Sequence, residues 1–337
     1  MTVPTPANPV LIVGDRGAGP ERWHRGALAV ARGGEIVAAV GRIEDGAYLR
    51  SAAKFFQALP AVLAGVEERH ALGDRELALM CASHGGEDEH LAVARGMLAR
   101  GGLGEDDLAC GPHPPMNARC AALMLARDEA PRRIHNNCSG KHAGMMLGAL
   151  ARGETPSGYE RPDHPVQRRI FEVVARLSGG TPSGTVFGID GCGVPTFRLT
   201  LADAARAFGR FAARDAGLPP DWRAGADRLL SAVAAAPEMI GGAGRFCSAV
   251  ARLSGGRAIV KVGADGYYGG MIPAAGIGFA LHVDDGDRGA SERVCAEILR
   301  RFGGLEGVPP EALDPWLDPR RLNCAGAAIG AWTLAEW

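Results

Sequence analysis

The chain is 337 residues long, 47% hydrophobic and 22% charged, with a formal net charge of −1 at pH 7. That length can bury a large core in one domain or two, and the near-neutral balance excludes an electrostatic pull toward nucleic acid or an anionic membrane. No apolar run reaches the roughly 20 residues that cross a bilayer, and the start, Met1-Thr2-Val3-Pro4-Thr5-Pro6, has neither the basic nor the apolar region of an export signal.

The expected setting is therefore cytoplasmic and reducing, where the eight cysteines act as core, catalytic or metal-binding thiols. Residues 9–13 predict a strand. Residues 27–31 and 36–40, joined by Arg32-Gly33-Gly34, predict a β-hairpin. A helix is expected over about 51–63, and Asp74 is placed as the N-cap of another over 75–81. The glycine-rich turn at 81–87 leads to a helix over 88–99. Helices follow over 117–126, 141–152, 166–177, 201–213 and 224–235. Residues 111–115 read as a loop, and 188–195 as a turn after a short strand at 185–189. Strand signals return at 258–262 and 277–283, and Ser291 is placed as the cap of a helix running to about 302. Strands near both ends with helices between predict an α+β fold. It is read as a single enzyme unit, with a sheet-bearing part at residues 1–65 and 255–337 and a mostly helical part at 66–254.

The chemistry concentrates around lysine. Of 37 basic residues only three are lysines, Lys54, Lys141 and Lys261. Arginine stays protonated in proteins, whereas lysine can lose its proton and act as a base. In Arg50-Ser51-Ala52-Ala53-Lys54 the serine and lysine stand three apart. That spacing puts both on one helical face and pairs a hydroxyl nucleophile with an amine base. A free lysine is only about 0.04% neutral at pH 7, so a working base needs its pKa lowered by roughly three units. Burial and a second cation do this, and Lys261 in Lys261-Val262-Gly263 is the candidate cation. These two stretches have the form of the first and third motifs of serine β-lactamases and penicillin-binding proteins. The middle S-D-N motif is missing, and Ser83 in Cys81-Ala82-Ser83-His84 offers a hydroxyl in its place. Two pairs stay open, Ser51–Lys54 and Ser83–Lys261, and either serine could be the one acylated.

The densest polar stretch is His135-Asn136-Asn137-Cys138-Ser139-Gly140-Lys141-His142, and Asp190-Gly191-Cys192-Gly193 adds a second thiol on a turn. Two thiolates, one nitrogen and water would make a tetrahedral zinc site. Histidine is the ordinary nitrogen donor, so His135 and His142 are candidates; Lys141 would have to give up its proton to serve. Arg50, beside the nucleophile, is a candidate for gripping a substrate carboxylate. Glu87, Asp163 and His164 are candidate acid/base or orienting groups.

Together these motifs resemble the rhizobial-type L-asparaginases, the L-asparaginase II family. The resemblance runs over nearly the whole chain. It includes Trp23-His24-Arg25-Gly26-Ala27, Arg50-Ser51-Ala52-Ala53-Lys54, Ser83-His84-Gly85-Gly86-Glu87 and Cys110-Gly111-Pro112-His113-Pro114-Pro115. It continues through residues 135–142, Arg161-Pro162-Asp163-His164-Pro165-Val166-Gln167, residues 188–193, Pro237-Glu238-Met239-Ile240 and Lys261-Val262-Gly263-Ala264-Asp265-Gly266. The resemblance implies a fold like that of serine β-lactamases and glutaminases, and hydrolysis of L-asparagine to L-aspartate and ammonia. It implies Ser51 as the nucleophile with Lys54 as its partner, and Ser83 with Lys261 as a second tandem. It also implies a homodimer and a zinc ion on Cys138, Lys141 and Cys192 that the chemistry does not strictly need. His84, Glu87, Asn137 and Asp190 fall within the matching motifs and join Arg50 as candidate substrate-binding residues. Phe55 stands where the family usually has proline, and Asp265 where it usually has glutamate; both neighbour site residues. The competing readings are a β-lactamase-like or peptidoglycan-directed acyl-serine hydrolase, and a catalytically silent zinc-binding protein.

Overall fold

The axis of the molecule is one long strand, Pro20–Arg32, in a seven-stranded antiparallel sheet. The computed structural model describes residues 7–317 and 320–337; the start at residues 1–6, read above as lacking an export signal, lies outside them. Along one edge the long strand pairs first with Val10–Asp15 and then with Glu35–Val40. Along the other it pairs with Ile277–Val283, followed outward by Tyr267–Ile272 and Ile259–Val262. Trp332–Leu334 pairs with Val10–Asp15 through Ile12↔Leu334, so segments from both ends of the sequence build one sheet. The expected α+β arrangement, with a largely helical middle, is what the chain adopts.

Residues 27–31 are buried without alternation, because helices cover both faces of the sheet. Leu201–Ala213 packs on one face and Arg288–Arg301 on the other. The neighbours Tyr268 and Gly269 show the two faces. The Tyr268 hydroxyl donates to Glu292 of the second helix at 2.9 Å, while Gly269 lies under Phe208 of the first. Gly278 brings that first helix closest, since a Cβ there would overlap the Gly209 backbone nitrogen. The helix Lys54–Val62 is buried almost throughout. It packs against Ser139–Ala151, Pro165–Ser178 and Pro220–Ala235. A small sheet of Gly46–Tyr48, Pro195–Thr200 and Val186–Ile189 holds the turn that carries Asp190 and Cys192.

Two expected caps differ. Gly73, not Asp74, precedes the helix Asp74–Met80, and its amide is satisfied by Glu76 at 3.0 Å. Asp287, not Ser291, caps Arg288–Arg301, accepting from the Ala290 amide at 2.7 Å. Ser291 sits inside that helix and bonds back to the Arg288 carbonyl. No helix among the described residues is long and apolar enough to cross a membrane. All eight cysteines are free thiols.

Candidate active site

A single 3-10 turn, Arg50–Ala53, runs directly into the helix Lys54–Val62. Ala52, Ala53, Phe55 and Phe56 are all fully buried, and Lys54 between them is carried inside at 0% exposure. Its Nζ donates to Ser83 Oγ at 3.0 Å and to the Ala82 carbonyl. Lys261, 1% exposed, reaches the same hydroxyl from the edge strand of the sheet. Its Nζ lies 2.8 Å from Ser83 Oγ and 2.9 Å from the Val262 carbonyl. The Ser83 amide is fixed in turn on the Ile240 carbonyl. Ser83 therefore stands between two buried amines. Burial disfavours charge on Lys261 and the amine of Lys54 adds to the effect, lowering its pKa to about 7. Close to half of such amines are neutral at pH 7, against about 0.04% for a free lysine.

Ser51 lines the same cavity, of about 380 Å³, as Ser83, Asn137, Cys138, Asp190 and Cys192. Lys54 turns its amine to Ser83, and the Ser51 hydroxyl is left without a hydrogen-bond partner among the described residues. It is open to whatever enters the cavity.

Arg50 holds a left-handed backbone with φ of 48°, a conformation that costs a side-chain-bearing residue about 1 kcal/mol. Three contacts hold it there. Its amide donates to Thr196 Oγ1 at 3.1 Å, its Nε to Asp190 Oδ1 at 2.6 Å and its Nη1 to Asp265 Oδ2 at 3.2 Å. The residue expected to grip a substrate carboxylate is thus already gripped by two carboxylates of the protein. Burial opposes the charge on Asp190, but Lys141 and Arg50 outweigh it and hold its pKa below the usual value.

Next to this lies the thiol cluster. Lys141 Nζ donates to Cys192 Sγ at 3.0 Å, and Cys138 Sγ to Asn137 Oδ1 at 3.1 Å. A hydrogen bond from Cys138 and the Lys141 charge outweigh burial and bring the Cys192 pKa down to about 5. That same hydrogen bond, together with burial, pushes Cys138 up to about 12. Burial works against the charge on Lys141, and its sulfur neighbours more than offset it, so its pKa rises. The result is a buried ammonium–thiolate pair with a thiol beside it. Two sulfurs and one nitrogen converge there, a donor set that fits zinc once the amine sheds its proton. The histidines considered for the nitrogen are engaged elsewhere. His135 Nδ1 accepts from the Arg132 amide, and His142 Nδ1 faces the Tyr159 hydroxyl. Among the described residues no three or more His, Cys, Asp or Glu side chains are grouped to hold a metal, so the fit rests on Lys141 as third donor.

His84 does not line the cavity. The Gly86 amide donates to its Nδ1 at 3.2 Å, which puts the ring proton on Nε2, facing Ser139 Oγ at 2.9 Å. Burial keeps the ring neutral, its pKa well below the ordinary value. His84 thus shapes the turn that presents Ser83. Glu87 faces a separate neighbouring cavity, where it accepts from Asn117 Nδ2 at 2.8 Å and the Ala243 amide at 3.0 Å. Asn137 is on the active-site wall, donating to Met116 Sδ at 2.8 Å. His164 caps Pro165–Ser178 through Val166, and Asp163 pairs with Arg161 on the surface. Sequence reasoning missed Arg245 and Arg288, which also line the cavity.

The family model described as L-asparaginase II matches residues 12–334. No curated protein matches the chain in sequence. Among solved structures, the chain is similar to Mglu in its native form, with 15% identity, a TM-score of 0.48, and coverage of 85% of this chain and 67% of that one. It is similar to D-alanine carboxypeptidase AmpC from Burkholderia cenocepacia, at 14% identity and a TM-score of 0.41, covering 83% of this chain and 93% of that one. It is also similar to a beta-lactamase from Mycobacterium bovis, at 12% identity and a TM-score of 0.44, covering 82% of this chain and 94% of that one.

Proposed function

The chain belongs to the L-asparaginase II family, a family of amidohydrolases, and from that premise we propose that it converts L-asparagine to L-aspartate and ammonia through an acyl-serine intermediate. The observation that carries this reading is the Ser83 hydroxyl lying within 3.0 Å of the Lys54 amine and 2.8 Å of the Lys261 amine. Ser51, accessible and unpartnered, is the nucleophile. Its Oγ attacks the side-chain amide carbon while its proton passes to the neutral member of the amine pair by way of the Ser83 hydroxyl, a contact that the free protein lacks among its described residues and that forms when substrate binds. The tetrahedral intermediate collapses as that proton passes to the amide nitrogen. The C–N bond breaks, ammonia leaves, and a β-aspartyl ester remains on Ser51. Water then attacks the ester and gives its proton to the same amine; the C–O bond breaks and Ser51 takes the proton back. In the interval the charged amines stabilise the negative charge that develops on the carbonyl oxygen. Zinc, were it bound, would be held by Cys138, Lys141 and Cys192, whose two thiolates would neutralise its charge, so that it would brace the cavity wall that Cys138 and Cys192 form. A cytoplasmic homodimer belongs to the same reading, and light scattering on the purified protein tests the assembly.

The two hydrogen bonds on Ser83 favour a second reading in which Ser83 carries the acyl group. Rapid quenching with L-asparagine, followed by peptide mass mapping, separates the two. An adduct on Ser51, together with a loss of about 1,000-fold or more in ammonia release by Ser51→Ala, supports the first. An adduct on Ser83 with Ser51→Ala active replaces it. Release of ammonia from L-glutamine alone, or turnover of nitrocefin alone, would reassign the substrate.

A further inference from the structure

Three guanidinium groups line the active-site cavity: Arg50, Arg245 and Arg288. Two are committed. Arg50 holds Asp190 at 2.6 Å and Asp265 at 3.2 Å. Arg288 holds Glu292 at 2.7 Å, and Glu292 also accepts from the Tyr268 hydroxyl. Arg245 is half-buried, yet among the described residues its side chain has no carboxylate partner and no hydrogen bond. Its backbone is well fixed. Gly242 and Gly244, with φ of 105° and 69°, turn the chain so that the Arg245 amide meets the Gly242 carbonyl at 3.3 Å. Arg245 then leads the helix Phe246–Leu253. Its charge is close enough to Lys261 to contribute to the lowered pKa of that amine, so it stands near the reacting centre.

A guanidinium presents five donors in a planar fork that matches a carboxylate. We propose that Arg245 is the specificity-determining residue that receives the α-carboxylate of the substrate, so that the site selects free α-amino acid amides over esterified or peptide-bound ones. The assignment rests on the amidohydrolase reading above and takes over the role that the sequence offered to Arg50. Arg50 instead braces Asp190 and its own backbone beside Ser51.

Ammonia release from L-asparagine and from its α-methyl ester is compared in the wild type, Arg245→Gln and Arg245→Lys, and L-aspartate binding is read by calorimetry. The side-chain amide is the same in both substrates; only the carboxylate differs. Arg245→Gln is expected to lower kcat/KM for L-asparagine by about 10- to 100-fold, the worth of a charge-assisted hydrogen bond. The value for the ester stays nearly unchanged, L-aspartate affinity falls in parallel, and Arg245→Lys recovers part of both losses. A guanidinium that acted only through folding or through Lys261 would slow both substrates alike. That result overturns the assignment, as does undiminished L-aspartate binding in Arg245→Gln. A wild-type protein that binds L-aspartate through Arg245 but frees no ammonia from any amide would overturn the amidohydrolase reading and leave the carboxylate site standing.

Discussion

Replacing Lys261 with methionine, which nearly matches its length, exposes the energetics of the amine pair. The fall in pKa from 10.5 to about 7 means the fold disfavours the charged form by on the order of 5 kcal/mol. Below pH 7 both the folded and the unfolded chain carry this proton, and the wild type bears the whole cost. Between about pH 7 and 10.5 the unfolded chain binds one more proton than the folded one, so stability rises by about 1.4 kcal/mol per pH unit. Methionine removes that dependence. From pH 6 to pH 9 the wild type should therefore gain about 3 kcal/mol relative to Lys261→Met. Urea denaturation of both proteins at both pH values measures this double difference, from which the lost hydrogen bonds to Ser83 and Val262 cancel. On the proposed mechanism the same residue should govern activity. Wild-type kcat/KM should climb through an apparent pKa near 7 as the amine becomes neutral, and Lys261→Met should lose about 1,000-fold or more. A double difference within about 1 kcal/mol of zero, or a wild-type rate flat from about pH 6 to 8, would refute the reasoning.

Other perturbations test the frame and the cluster. Gly278→Ala should cost about 3 kcal/mol in thermal denaturation, because the new Cβ meets immovable backbone at Gly209. Gly269→Ala should cost about 1 kcal/mol, because there the obstacle is the Phe208 ring, which can turn. Asp190→Asn removes the carboxylate closest to Arg50; kcat/KM should fall by about 10-fold while circular dichroism stays native. If the thiol cluster carries zinc, Cys138→Ser combined with Cys192→Ser should purify without it by atomic emission, and chelation of the wild type should slow turnover by less than about 10-fold.

The two amines that meet at Ser83 stand out in the sequence through a contrast in composition. Lysine is scarce here, and all three lysines are buried against a hydroxyl or a thiol. Arg245 carried no such mark, being one arginine among many, and only its lack of a partner in three dimensions sets it apart. The direction of Lys54 was also hidden. Spacing of three puts it on the same face as Ser51, but the long side chain reaches across to a turn 29 residues away. His142 was considered for zinc on residue type alone. It follows Lys141 on the same helix, and successive residues point about 100° apart, so only one of them can face the thiols. The strand Tyr267–Ile272 has a weak sequence signal, since its paired glycines argue against a strand. Here they are what lets Phe208 and Phe279 pack against it from the two sides. Helix Leu201–Ala213, with its clean amphipathic pattern and Thr200 cap, agreed with expectation to the residue.

The two interior amines carry a cost beyond the chemical step. On the proposed reaction, asparagine would enter as a neutral zwitterion and aspartate would leave with one more negative charge, formed within reach of the two buried amines. A pocket that favours the transition state in this way also clings to what it makes. Departure of aspartate, rather than cleavage, would then set the ceiling on turnover.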